Sequence, residues 1–106
     1  MKQVKIFKAL ANDTRLQILE WLKEPKHHFA TLICDSKKTC ADPQEVGVCV
    51  GFIQQKSGLS QSTISQFLGL LQEAGLITAT RIGQWTYYKR NEKTIVELAR
   101  YIAKDL

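Results

Sequence analysis

Apolar positions along the chain follow two rhythms, one helical and one alternating. Over residues 3–10, Val4, Phe7, Ala9 and Leu10 mark a short helix. Asn12-Asp13-Thr14-Arg15 opens a stronger one, because Asn12 or Asp13 can cap the free N–H groups of a first turn. Leu16, Ile18, Leu19, Trp21 and Leu22 then supply a broad apolar face, and Pro25 ends the helix. Residues 48–56 read as a short helix or turn with Phe52 and Ile53 as its buried pair. Ser57-Gly58-Leu59-Ser60 is a turn, with Gly58 as permissive backbone and Ser60 as the cap of a helix over 60–75. Ile64, Phe67, Leu68 and Leu71 give that helix the i, i+3, i+4, i+7 spacing, and Gly75 stops it. The rhythm changes at 76–90, the span of a hairpin. Ile77 and Ala79 alternate with Thr78 and Thr80, Gly83-Gln84 makes the tip, and 85–90 is aromatic and β-branched. Residues 92–106 close the chain as a helix with Ile95, Leu98, Ala99, Ile102 and Leu106 on one face.

Residues 25–47 keep neither rhythm. They hold both prolines, both histidines and Asp35, Ser36, Lys37, Lys38 and Asp42, with their apolar residues gathered in 29–34. This stretch reads as a long surface loop inserted into an otherwise compact order, and loops of that length are often functional. The expected fold is therefore mainly α with a small β-hairpin, one domain over residues 1–106.

Composition narrows the class further. With 44% hydrophobic and 24% charged residues, the chain can build a core, and disorder is not its expected state. Met1-Lys2-Gln3-Val4-Lys5 has no apolar run behind its charges, so no signal peptide is expected. No stretch approaches the roughly 18 apolar residues of a membrane span, which points to the cytoplasm and reduced thiols. Three cysteines, Cys34, Cys40 and Cys49, are too few for a disulfide framework. A net charge of +5 suits a polyanionic partner without specifying one.

Short helix, glycine-containing turn and longer amphipathic helix form the helix-turn-helix pattern, in which one helix face packs inward and the other enters the major groove. With Ile64, Leu68 and Leu71 inward, Gln61, Ser62, Thr63, Ser65 and Gln66 are left outward or at the leading end. Gln reads adenine in two hydrogen bonds, Ser and Thr bond bases or phosphates, and a helix start at Ser60 offers N–H groups to a phosphate. Any surface helix also has a polar face, so the neighbouring residues carry weight. Lys56 lies just upstream, and the hairpin carries Arg81, Gln84, Lys89 and Arg90 with no acid, which makes it a basic wing. Trp85, Tyr87 and Tyr88 are expected in the core rather than against bases.

Lys8-Ala9-Leu10-Ala11-Asn12-Asp13-Thr14-Arg15-Leu16-Gln17-Ile18-Leu19 resembles the opening of the ArsR-type (ArsR/SmtB) repressors. Gly58 to Leu68 and Leu70 to Ile77 resemble their reading-helix segment, and Arg81 to Tyr88 their wing. All but roughly residues 25–47 is covered. The resemblance implies a dimeric winged helix-turn-helix repressor of double-stranded operator DNA, autoregulated and released by an inducer. It also implies a homodimer interface from the first and last helices, here Phe7, Ile95, Leu98, Ala99, Ile102 and Leu106.

The sensor pattern of that family is only partly present. Where many relatives carry Cys-Val-Cys, this chain has Cys49-Val50-Gly51, followed by Phe52 in place of an acid. Residues 92–106 contain no histidine, so a second family metal site is missing. Four readings of Cys34, Cys40 and Cys49 stay open. They are buried apolar residues, thiols for reversible disulfide or sulfenate chemistry, a three-thiolate site for a metal or metalloid, or part of a small-molecule sensor. His27-His28 reads as a solvated pair. No cofactor is required by the pattern. No CxxC, Ser-His-Asp order, phosphate loop or carboxylate pair supports an enzyme; a protein-binding winged-helix module is the other rival.

Overall fold

The computed structural model describes residues 2–30 and 46–106. Helix α1 (Gln3–Leu10) and helix α2 (Asp13–Lys23) meet at a tight corner built by two side chains. Asn12 caps α2, its Oδ1 accepting the Arg15 N–H at 3.1 Å. Arg15 reaches back across the corner, where Nε donates to the carbonyl of Ala9 at 2.7 Å and Nη2 to that of Lys8 at 3.2 Å. The carbonyl of Lys8 also accepts the Ala11 N–H at 3.3 Å, and both carbonyls belong to the last turn of α1, where helical partners run out. A cation there also opposes the negative end of the helix dipole.

The 25–47 stretch begins differently from the surface loop expected. Pro25–His28 form a single helical turn, α3, with Pro25 at its first position, where the missing N–H costs nothing. Pro25 and Phe29 are buried, and Phe29 meets Trp21 edge-on at 6.3 Å. Two apolar side chains thus plug this turn onto α2. Residues 31–45 of the expected loop, including Cys34 and Cys40, lie outside the described residues.

A second departure follows at residues 48–56. Val48–Cys49 is a strand, β1, and only then does helix α4 (Val50–Ser57) begin. Helix α5 (Gln61–Glu73) follows the turn, then strands β2 (Ile77–Ile82) and β3 (Trp85–Arg90) and helix α6 (Glu92–Lys104). The sheet order is β1-β3-β2 with both pairings antiparallel. Val48 faces Tyr88 and Cys49 faces Tyr87, so the wing has a third strand that alternation alone could not reveal in two residues.

Helices α1, α2, α4, α5 and the base of the sheet enclose one core. Ile6, Ile18, Ile53, Ile64, Leu68, Leu71, Leu76 and Ile77 are fully buried there. The first helix turns Ile6 and Ala9 inward, leaving Val4 and Phe7 exposed, and Leu16 of α2 is also outside. Along the hairpin only Ile77 is fully buried, so Ala79 does not continue the buried side. The hairpin leaves the core as it rises.

Gly47 lets β1 join the sheet. Its φ is +108°, and a Cβ there would collide with the backbone carbonyl of Tyr88. Gly47→Ala is expected to cost on the order of 1–3 kcal/mol, since it adds left-handed strain to a backbone clash. Urea denaturation would show a lowered midpoint, and an unchanged midpoint would mean that β1 does not depend on this approach. Tyr88 supplies a second check. Burial raises its pKa above the ordinary 10.0. The folded state thus holds the phenolic proton longer than the unfolded chain. Its contribution is intact below pH ~10 and is lost as pH rises through the folded value. Thermal melts above that pH should fall less steeply for Tyr88→Phe than for the wild type.

Candidate nucleic-acid interface

Helix α5 has a buried apolar face and an exposed polar leading end, with Leu70 also exposed further along. Ile64, Leu68 and Leu71 are buried, while Gln61, Ser62, Ser65 and Gln66 are exposed and Thr63 is half-buried. Thirteen residues at 1.5 Å each make it about 20 Å long, enough to cross a major groove. It ends at Glu73, two residues before the Gly75 expected to stop it.

Its leading end is tightly organised. Ser60 Oγ accepts the Thr63 N–H at 3.2 Å and donates to Thr63 Oγ1 at 2.9 Å, with Ser62 Oγ 3.3 Å away. Gln61 Nε2 donates to Ser65 Oγ at 3.3 Å one turn on. In the preceding turn, Ser57 Oγ donates to the Gln54 carbonyl at 2.8 Å and accepts the Leu59 N–H at 3.1 Å. The result is a rigid, uncharged row of hydrogen-bonding groups. Arg15 steadies it from behind, its guanidinium carbon 5.2 Å from the centre of the Phe67 ring.

The cations around this row are not equivalent. Arg81 is exposed near the hairpin tip, where its Nε donates to the Gly83 carbonyl at 3.2 Å. Gln84 and Lys89 are exposed on the same hairpin. Lys56 also lies outside, but its Nζ sits 5.4 Å from the Trp21 ring centre and 5.8 Å from that of Phe29. Arg90 corrects the count of wing charges. Glu92 holds it in a two-point ion pair, with Nε–Oε2 at 2.8 Å and Nη2–Oε1 at 3.0 Å, and it is only 14% exposed. This pair fixes the base of the wing to the start of α6 and takes Arg90 out of the basic surface.

Trp85 is the second correction. It was expected in the core, yet it is 40% exposed at the tip, opposite Ile82; Tyr87 and Tyr88 are half-buried. Residues assigned to a dimer interface divide likewise. Ile102 and Leu106 are exposed at 47% and 75%, Ala99 is exposed, Ile95 is half-buried, and Leu98 is buried within the chain's own core. Phe7, 36% exposed, meets the Tyr101 ring at 6.4 Å, joining α1 to α6 in one outward apolar surface.

Cys49 is half-buried and free, at the junction of β1 and α4. Among the described residues no three metal-ligating side chains gather. His27 and His28 lie edge-to-face at 5.0 Å, with His27 exposed. Sequence reasoning missed the reach of Arg15 across three helices, the third strand and the Arg90–Glu92 pair. Only Arg90 and Glu92, two residues apart, left a readable sign.

No family model matches the chain. It is 47% identical over 106 residues to an uncharacterized HTH-type transcriptional regulator of Bacillus subtilis, YbzH, covering all of both chains. It is 33% identical over 89 residues to the arsenical resistance operon repressor of the same organism, covering 84% of this chain and 66% of that protein. Among solved structures, the homodimeric winged helix-turn-helix DNA-binding domain of Mb0332 from Mycobacterium bovis superposes with a TM-score of 0.62 at 28% identity. That match covers 97% of this chain and 80% of the other.

The Ser60 cap yields a direct expectation. Ser60→Ala should lower stability by about 1 kcal/mol, whereas Ser60→Asp, which keeps the acceptor, should hold it. Equal losses for both in thermal denaturation would mean that Ser60 does not act as the cap.

Proposed function

The chain belongs to the ArsR-type winged helix-turn-helix transcriptional regulators, and we propose that it works as a cytoplasmic homodimer that binds its own operator and leaves it when an inducer acts. The observation that carries this reading is α5, whose buried face anchors it while an uncharged hydrogen-bonding row faces out beside a basic wing.

In this reading Gln61, Ser62, Thr63, Ser65 and Gln66 meet base edges in the major groove. Ser60 and the first N–H groups of α5 take a phosphate. Lys56, Arg81, Gln84 and Lys89 hold the flanking backbone. The uncharged row suits discrimination, and the cations around it supply affinity. Dimerisation would use the apolar surface of Phe7, Ile102 and Leu106. It would also draw on a groove of about 490 Å³ beside α6, whose lining includes Leu10, Leu16, Leu19 and Ile95. Two-fold symmetry would then set the two copies of α5 on half-sites about one helical turn apart.

For the signal, Cys49 stands first among the thiols, with Cys34 and Cys40 as its candidate partners. Cys49 stands opposite Tyr87 of the wing strand, so a covalent change at its sulfur would press on β3 directly.

The test is fluorescence anisotropy with the reduced protein and a duplex from upstream of its own gene, set against a random duplex. Ser62→Ala with Gln66→Ala should cut the preference for the upstream duplex about tenfold or more while sparing weak non-specific binding. Arg81→Ala should weaken both duplexes and reduce the salt slope by about one. Uniform weakening of all sequences by both changes would overturn the division between reading helix and wing. A mild thiol oxidant should release the protein and a reductant restore it; indifference to oxidant would remove the thiols from the signal.

A further inference from the structure

The two large apolar side chains at the wing tip have no place in the core. Ile82 is 48% exposed and Trp85 40% exposed, and they face each other across the hairpin on either side of Gly83-Gln84. The register explains their position. Ile77, Ala79, Arg81, Thr86, Tyr88 and Arg90 share one face of the hairpin, and Ile77 and Tyr88 of that face pack toward the core. Ile82 and Trp85 belong to the opposite face, with Thr78, Thr80, Tyr87 and Lys89. They therefore sit on the outward side, at the end farthest from the buried Ile77.

The surroundings select the partner. Between Glu73 and Glu92 the chain holds no acidic residue. Arg81 is next to Ile82, and its guanidinium is drawn to the tip by the Gly83 carbonyl. Gly83, at φ +61°, allows a two-residue turn narrow enough to leave the apolar pair leading. An apolar point with one cation, Arg81, held at the same turn and no acid in the hairpin matches a polyanion that has an apolar interior, which is stacked DNA.

The geometry points to Ile82 and Trp85 as an apolar wedge that enters the minor groove and partly unstacks one base step next to the half-site. This rests on the operator-binding reading above and extends it, because α5 does not reach that step. Wedges of this kind unstack and kink a duplex. Pyrimidine–purine steps such as TA and CA/TG open most easily, so the tip adds sequence preference without hydrogen-bonding a base. Arg81 neutralises phosphate beside the opened step. In a symmetric dimer the same wedge acts at both ends.

Tryptophan emission and affinity test the wedge with the full chain and the upstream duplex. Binding should quench the wild-type emission, and Trp85→Phe should lose most of that response, leaving the half-buried Trp21 as background. Trp85→Ala should bind about tenfold more weakly, in line with the loss of one stacked aromatic contact. Trp85→Phe, which keeps a ring across from Ile82, should retain most of the affinity and the thermal midpoint. Replacing the flanking TA or CA step by a stiff A-tract should weaken the wild type more than Trp85→Ala. If the upstream duplex is preferred while wild type and Trp85→Phe respond alike in emission, the wedge alone is overturned. If no duplex is preferred, the reading-helix assignment falls and the wedge with it. A blue shift with anionic phospholipid vesicles, and none of these responses with duplex, would assign the tip to a lipid surface and overturn the wedge.

Discussion

Arg15 holds the arrangement together, because it joins three helices at the point where they cross. Its Nε and Nη2 satisfy carbonyls at the end of α1, its own N–H is capped by Asn12 at the start of α2, and its guanidinium lies over the Phe67 ring of α5. Each contact alone is modest. Together they fix the end of one helix, the start of the next and the height of α5 above both. A lysine could not substitute, since a point charge cannot serve two carbonyls and also stack on a ring. The close run Asn12-Asp13-Thr14-Arg15 is therefore a mechanical joint as much as a helix start.

From that joint, the uses of each element follow. Helix α5 buries Ile64, Leu68 and Leu71 and so cannot roll, which keeps its polar row facing outward. The wing is held at its base three ways: by the burial of Ile77 and packing of Tyr88, by the pairing of β1, and by the Arg90–Glu92 pair. At its tip it has none of these. In the proposed complex, a hairpin anchored at its base would follow a flexible duplex while the helix beside it stays in register.

Much of this was legible in the sequence, and the unread parts share a physical reason. Period located α1, α2, α5, the hairpin and α6, because each is long enough for its apolar residues to repeat at the spacing of its element. Ser60 was readable as a cap because capping is a local bond between neighbours. The strand β1 was not, since two residues carry no rhythm and its pairing partner lies some forty residues away at Tyr87 and Tyr88. Gly47 becomes meaningful only once Tyr88 is known to lie against it. Trp85 was misplaced for the opposite reason. Aromatic residues in a strand usually pack inward, and its exposure depends on how far the hairpin extends beyond the core. Arg90 looked like a wing cation until Glu92, across the strand–helix junction, proved to hold it.

Helix α6 shows why the proposed second copy matters physically. It has thirteen residues, near the length at which a helix without tertiary contacts is marginal in water. Yet within its own chain Leu98 is its one buried residue, while Val96, Ile102 and, just beyond it, Leu106 are exposed. Phe7 and Val4 of α1 extend the same apolar surface. A chain of this size buries too little of its surface to leave such a stripe in water without cost. Covering it with the same stripe of a second copy would stabilise α6, enlarge the core and fix the spacing of two reading helices in one step. Ordering of the last helix and alignment on DNA would then depend on the same contact.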